Sequence, residues 1–196
     1  MVVLKTRREL ALMRDACRIS AEALQIAGEA VKPGVTTAEI DRIAYSYIVK
    51  QGATPNFLHL YGFPATACIS INDEVIHGIP SKERVIREGD IVSIDLGAAL
   101  NGFNGDNAAT FAAGPISPEA KRLIDTTRES LYEGIRAAVA GGRIGDIGSA
   151  VQRYCENAAM ASSGNIPDMA WVQSFMKIRR SPISAHRAVV CACYQV

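Results

Sequence analysis

Apolar positions in the first quarter of the chain recur at helical spacing. They predict an amphipathic helix from about residue 8 to 31, which Lys32-Pro33-Gly34 ends. A second helix is predicted to begin at Thr36, because Thr36 and Glu39 have the spacing of a capping box, and to end at Gly52.

The spacing then becomes that of β-strands. Residues 67–71 and 75–79 are predicted strands, separated by a turn at 72–74. The next two strands are predicted at 91–98 and 106–112. They form a hairpin, since Asn101-Gly102 is a strong signal for a two-residue turn.

Helical spacing returns after this hairpin. One long helix is predicted from Ser117-Pro118 to Gly141-Gly142, and another from about residue 146 to 157. Segments 20–34 and 130–142 resemble each other, and each precedes a helix with an acid–isoleucine pair near its start. We therefore expect an α+β fold built by duplication. Chance similarity between two amphipathic helices is the alternative.

Composition excludes several classes of protein. The chain has 196 residues, 48% of them apolar and 21% charged, which is typical of a globular domain and not of a disordered chain. A formal net charge of +1 argues against nucleic acid or a membrane surface as the partner. Five cysteines without metal-site spacing, and charged residues from Lys5 onward instead of a secretory signal, predict a cytoplasmic protein with reduced thiols.

Charge is distributed unevenly along the chain. Residues 159–196 hold four bases and one acid, which leaves 17 bases and 19 acids for residues 1–158. The predicted repeat also stops near residue 158, because no strand or hairpin pattern follows it. These two changes divide the chain into a domain at 1–158 and an atypical segment at 159–196.

Two acidic residues of the predicted hairpin lie on one face. With Asn101-Gly102 as the turn, Asp95 pairs with Ala108, and Asp106 lies two positions further along the same face. No Lys or Arg occurs between residues 92 and 111 to neutralise them. A divalent cation would remove the repulsion between two carboxylates in apolar surroundings. A hairpin with both carboxylates in solvent is the alternative.

His77 is the second candidate for chemistry. It lies in the apolar run 75–79, which is predicted to be extended, beside Gly78, where the backbone is able to approach a ligand. A structural, hydrogen-bonding role is the alternative.

Four segments carry a resemblance to a known family. They are V-K-P-G-V-T-T-A-E-I-D (31–41), Y-G-F-P-A-T-A-C-I-S-I-N-D-E-V-I-H-G-I-P (61–80), G-D-I-V-S-I-D-L-G-A (89–98) and N-G-F-N-G-D (101–106). By these motifs residues 1–158 resemble the type I methionine aminopeptidases, metal-dependent hydrolases that remove the initiator methionine from new chains. A proline-specific aminopeptidase is an alternative within this enzyme class, and the run at 61–80 favours methionine removal.

The resemblance implies the α+β pita-bread fold, with its second half incomplete here. It implies that Asp95 is a bidentate ligand of one metal ion and that Asp106 bridges two ions, of the Co, Mn, Fe, Zn or Ni class. It implies that His77 is catalytic: it contacts the substrate beside the scissile amide and stabilises the departing nitrogen or the intermediate. It also implies that Cys68 and Phe63 line the methionine pocket, where a thiol and an aromatic ring suit a thioether. The implied protein is a cytoplasmic monomer that acts on nascent polypeptides near the ribosome and binds neither nucleic acid nor membrane.

The metal site of this family takes five ligands, of which two match here. The family's G-H-G motif, the H-E pair and the later Glu have no match after residue 158. Codons for D-M-A-W-V-Q-S-F-M-K-I (168–178), read one base earlier with suitable codon choice, give G-H-G-M-G-P-E-F-H-E-D. We therefore expect a frameshift between about Ala158 and Asp168, and a chain that is inactive as written. A truncated pseudoenzyme and a non-catalytic binding module on the same fold are the alternatives.

Overall fold

The computed structural model describes residues 4–160. Nearly all of the segment at 159–196, including the expected frameshift, therefore lies outside the described residues. The chain forms two compact units, one comprising Lys5–Ser117 and the other, as far as it is described, residues 118–160. The helices are α1 (Arg7–Glu29), α2 (Thr37–Lys50), α3 (Pro118–Ala137) and α4 (Ile144–Asn157), and the strands are β1 (Thr54–Pro55), β2 (Ala67–Ile71), β3 (Ile91–Leu100) and β4 (Phe103–Ala112).

Local capping fixes where the first two helices begin. The predicted capping box of α2 is confirmed, because Glu39 N donates to Thr36 Oγ1 at 3.2 Å and Thr36 N donates to Glu39 Oε2 at 2.8 Å. A capping box that was not predicted starts α1, between Thr6 and Glu9. Gly52 follows α2 with a φ of 73°, as expected for the residue after a helix.

Strand β3 is the centre of an antiparallel sheet. It pairs along its whole length with β4, while β2 pairs with residues 92–96 and β1 with residues 98–99. The turn Asn101-Gly102 has φ values of 52° and 79°, which only a primed hairpin turn uses at both positions. The predicted hairpin and its register are confirmed, although both strands are longer than predicted.

One face of this sheet packs against α1 and α2. The core that they form is made of aliphatic side chains, among them Ile19, Ile40, Ile48, Ile69, Val92, Ile94 and Leu96. The sheet residues with the opposite parity, including Asp95 and Asp106, therefore project from the other face.

The predicted strand at 75–79 and the predicted end of the long helix are wrong. Residues 75–79 are a loop and not a strand; within it Val75 is 67% exposed and Ile79 53%. The chain turns back here so that Ile69 N donates to Gly78 O at 2.8 Å, and the run finds no neighbouring strand of its own. Helix α3 ends at Ala137, before the predicted Gly141-Gly142, and the short strand β1 and a 3₁₀ turn at Leu60–Gly62 were not predicted.

Helices α3 and α4 pack against each other in the second unit. Gly134 makes this approach possible, because a Cβ there would lie 2.9 Å from Val151 Cγ2. Within residues 4–160, no helix has both the length and the apolar character that crossing a membrane requires.

Candidate metal centre

Three residues with reactive side chains share the face of the sheet that is turned away from α1 and α2. Cys68 of β2 lies opposite Asp95 of β3, and Asp95 lies opposite Ala108 of β4. Asp106 of β4 lies opposite Gly97, which is two residues after Asp95 in β3 and on the same face. This is the arrangement predicted for the two carboxylates from the hairpin turn, and the structure adds Cys68 to it.

Both carboxylates carry an oxygen without a partner. Oδ1 of Asp95 and Oδ1 of Asp106 are buried and accept no hydrogen bond from any described residue. Burial, reinforced by the nearby charge of Asp106, raises the pKa of Asp95 to about 8. Burial likewise raises the pKa of Asp106 to about 6, against a smaller lowering effect of the Asn107 backbone N–H. The alternative of a fully solvated acidic hairpin is therefore wrong.

These orphaned oxygens fit a divalent cation. Carboxylate oxygens are good ligands for such ions, and the segment from residue 92 to 111 has no basic side chain that would compete for them. Within residues 4–160, no group of three or more His, Cys, Asp and Glu side chains is arranged to hold a metal ion. The two carboxylates by themselves would therefore supply only part of a coordination sphere.

The Cys68 thiol beside them is kept protonated. Burial raises the pKa of Cys68 to about 12, and the charges of Asp95, Asp106 and Asp41 raise it as well. A thiol in this state is a weakly polar, polarizable surface and a poor metal ligand.

Asp41 on α2 was missed by the sequence reasoning. Its Oδ1 accepts hydrogen bonds from Thr66 N at 2.9 Å and from Ala67 N at 2.8 Å. These bonds fix the first residue of β2, directly before Cys68. No sequence signal identifies such a role, because the partners lie 25 and 26 positions away along the chain.

Asn56 was also missed. Its backbone N–H donates to Gly97 O at 3.0 Å, and a Cβ on Gly97 would lie 2.9 Å from Asn56 Nδ2. Gly97 thus leaves room for the Asn56 side chain over the face that carries the two carboxylates.

Phe63 and His77 lie on the two loops that flank β2. Phe63 is half-buried, and its backbone N–H donates to Leu60 O at 2.9 Å. His77 is exposed and has a φ of 58°, so its backbone is left-handed and not extended as predicted.

The missing side chain of Gly78, which was expected to let the backbone approach a ligand, serves a packing contact in the structure. A Cβ on Gly78 would lie 2.1 Å from Ile69 O, so the close approach is to β2. Gly78 N also donates to Ser70 Oγ at 3.2 Å. Because Ser70 shares its face with Cys68, the loop that carries His77 folds towards the carboxylate face.

Comparisons with known proteins identify the family of this chain. The sequence pattern of metallopeptidase family M24 matches residues 11–177. A methionine aminopeptidase of Clostridium acetobutylicum is 52% identical over 157 residues, which cover 80% of this chain and 63% of that protein. The crystal structure of a methionine aminopeptidase from Rickettsia prowazekii matches with a TM-score of 0.78 and 36% identity, again over 80% of this chain and 63% of the other.

A more distant structure shares the fold alone. A prolidase from Pyrococcus furiosus matches with a TM-score of 0.70 and 24% identity, over 79% of this chain and 44% of that chain. The predicted α+β pita-bread fold is thereby confirmed. The chain spans about 63% of the length of the methionine aminopeptidases that it matches. By fold, by sequence pattern and by identity, it belongs to metallopeptidase family M24.

Proposed function

We propose that residues 1–158 represent a methionine aminopeptidase, which uses water to cleave the first peptide bond of a chain that begins with methionine. The observation that carries this proposal is the pair of buried carboxylate oxygens without partners, on one sheet face of a metallopeptidase chain. Among the structural matches, the identity of 36% to a methionine aminopeptidase, against 24% to a prolidase, supports methionine over proline specificity.

Asp95 and Asp106 would hold the metal. In the proposed complete site they share two divalent ions, of the Co, Mn, Fe, Zn or Ni class. When bound, such ions polarise a carbonyl and lower the pKa of water at the site.

The chain's own residues would position the substrate. Cys68 is neutral, and with the ring of Phe63 it would offer the methionine thioether a polarizable, uncharged surface. His77, exposed on a loop that folds towards the carboxylate face, would contact the substrate beside the scissile amide. We place the protein as a monomer in the cytoplasm, acting on nascent chains near the ribosome, without nucleic-acid or membrane binding.

The segment at 159–196 is proposed to be read in a shifted frame. The loss of acidic residues after residue 158 and the motif hidden in the neighbouring frame support this reading. The nucleotide sequence tests the frameshift. Codons at 168–178 that cannot encode G-H-G in the neighbouring frame would contradict it.

An assay of methionine release tests the proposed function. The 196-residue chain, supplied with Mn²⁺ and Met-Ala-Ser, is expected to release little or no methionine, because two carboxylates alone do not complete the site. A chain with the frame restored after Ala158 is expected to release methionine, and to lose this activity on Asp95→Asn. Exposed Asp73 provides the matched control, Asp73→Asn, which should retain activity. A restored chain that is inert with every metal of the class would contradict the proposal.

A further inference from the structure

One guanidinium holds both ends of the loop that carries His77. Arg84 Nη1 donates to Ile79 O at 2.9 Å, at the end of this loop, and to Ile69 O of β2 at 3.1 Å. Arg84 Nη2 forms an ion pair with Glu74 Oε2 at the start of the loop. The planar fork of arginine suits such a three-way contact, since its donors have fixed relative directions.

The middle of the loop has no comparable support. Both ends of the loop are hydrogen-bonded to β2. Ile71 N donates to Glu74 Oε2 at 2.8 Å, and Ile69 N donates to Gly78 O. Within residues 4–160, no hydrogen bond involves residues 75–77. The conformation of His77, with its positive φ, therefore depends on how the two ends are held.

The loop and Arg84 also line one open concavity. Residues 74–79 and Arg84 surround a volume of about 530 Å³. Exposed apolar side chains, among them Val75 and Ile76, belong to this concavity. Arg84 forms part of its wall, with its charge engaged by Glu74 and by two carbonyl oxygens.

We propose that Arg84 is a positioning residue for His77. By joining β2, the start of the loop and the end of the loop, it holds His77 in the conformation that meets the substrate. This inference rests on the proposed role of His77 in substrate binding. Arg84 itself touches neither the carboxylate pair nor, in this proposal, the substrate.

Nitrogen-15 relaxation on the full 196-residue chain tests the structural half of this inference. Arg84→Gln is expected to lower the amide order parameters of residues 75–77 from about 0.85 towards 0.6. Arg84→Lys should lower them less, since lysine keeps the pairing with Glu74 but lacks the fork. Exposed Arg87 gives the matched control, Arg87→Gln, which should change nothing in this loop. Unchanged amide shifts in α1 and α2 would show that each variant is folded.

A peptide titration of the same zinc-loaded variants tests the functional half. Met-Ala-Ser is expected to shift the His77 imidazole signals of the parent chain. Arg84→Gln should weaken peptide binding about tenfold, because binding must then order three loop residues. Zinc affinity, measured by calorimetry, should not change, since the carboxylates lie on β3 and β4.

The outcomes separate this inference from the proposed function. If the peptide shifts His77 equally well in the parent and in Arg84→Gln, with equal affinity and order, the role of Arg84 is overturned and that of His77 stands. If the peptide leaves His77 unmoved both in the parent and in the chain with the frame restored after Ala158, the proposed role of His77 fails, and the inference for Arg84 fails with it.

Discussion

At the scale of single residues, two buried aspartates of the candidate site have strongly perturbed surroundings. Asp95 and Asp106 each hold a buried oxygen that no described residue satisfies, and both have raised pKa values because burial disfavours the charged form. Such groups destabilise a folded domain unless a proton or a cation neutralises them.

This arrangement predicts how stability depends on pH in the absence of metal. An unfolded Asp titrates near 3.8, whereas Asp95 and Asp106 titrate near 8 and 6 in the fold. The folded state therefore binds more protons between these values, and the free energy of unfolding should fall as the pH rises from 5.5 to 8.5. We expect a loss on the order of a few kcal/mol, measured by urea unfolding in a chelator.

A neutral isostere provides the comparison. Asp95→Asn should flatten this pH profile and raise stability at pH 8.5, whereas Asp73→Asn on the surface should leave the profile unchanged. A parent chain whose stability is constant or rises over this range would show that the two carboxylates are solvated.

Close backbone contact positions the carboxylates at the scale of elements. Helix α1 crosses β4 at Gly105, where a Cβ would lie 2.4 Å from Ala16 O. The next core-facing residue, Asn107, donates to Ser20 Oγ at 2.5 Å. Asp106 lies between Gly105 and Asn107, so the contacts of these two residues with α1 fix the position of its backbone.

Substitution at this crossing should be costly. Gly105→Ala is expected to destabilise the protein by about 2–4 kcal/mol in urea unfolding, because two backbone segments would have to separate. Gly145 in α4 has open space around it, so Gly145→Ala should be neutral or slightly stabilising. Equal effects of the two substitutions would contradict the close packing of α1 on β4.

Sequence reasoning succeeded where a single short signal determines an element. The Thr36–Glu39 box and the Asn101-Gly102 turn were sufficient to place α2 and the register of β3 and β4, and with it both carboxylates. It failed for residues 75–79, whose β-forming side chains lack a partner strand, and for Asp41 and Asn56, whose partners are distant in sequence. These contacts depend on the assembled fold, and no local pattern encodes them.

The hydrophobic core has a clear boundary at the scale of the whole molecule. Among residues 4–160, its buried apolar residues lie between Ala16 and Ala113, in the unit that also contains every candidate site residue. This unit has the size of an ordinary single domain.

A shortened chain should therefore keep the site. A chain ending at Ser117 is expected to unfold cooperatively and to bind Mn²⁺ with the affinity of the full chain, as followed by circular dichroism and calorimetry. A chain ending at Leu100, which lacks β4 and Asp106, is the control and should do neither. Failure of the longer fragment to fold would place essential packing in the second unit.

If Asp95 and Asp106 bind a metal ion, the cation would replace a proton that their buried carboxyl groups hold. At neutral pH the pair retains about one proton, mostly on Asp95, that an ordinary carboxylate would already have released. A cation that binds there would expel this proton, so uptake would acidify an unbuffered solution and mild acid would release the ion again.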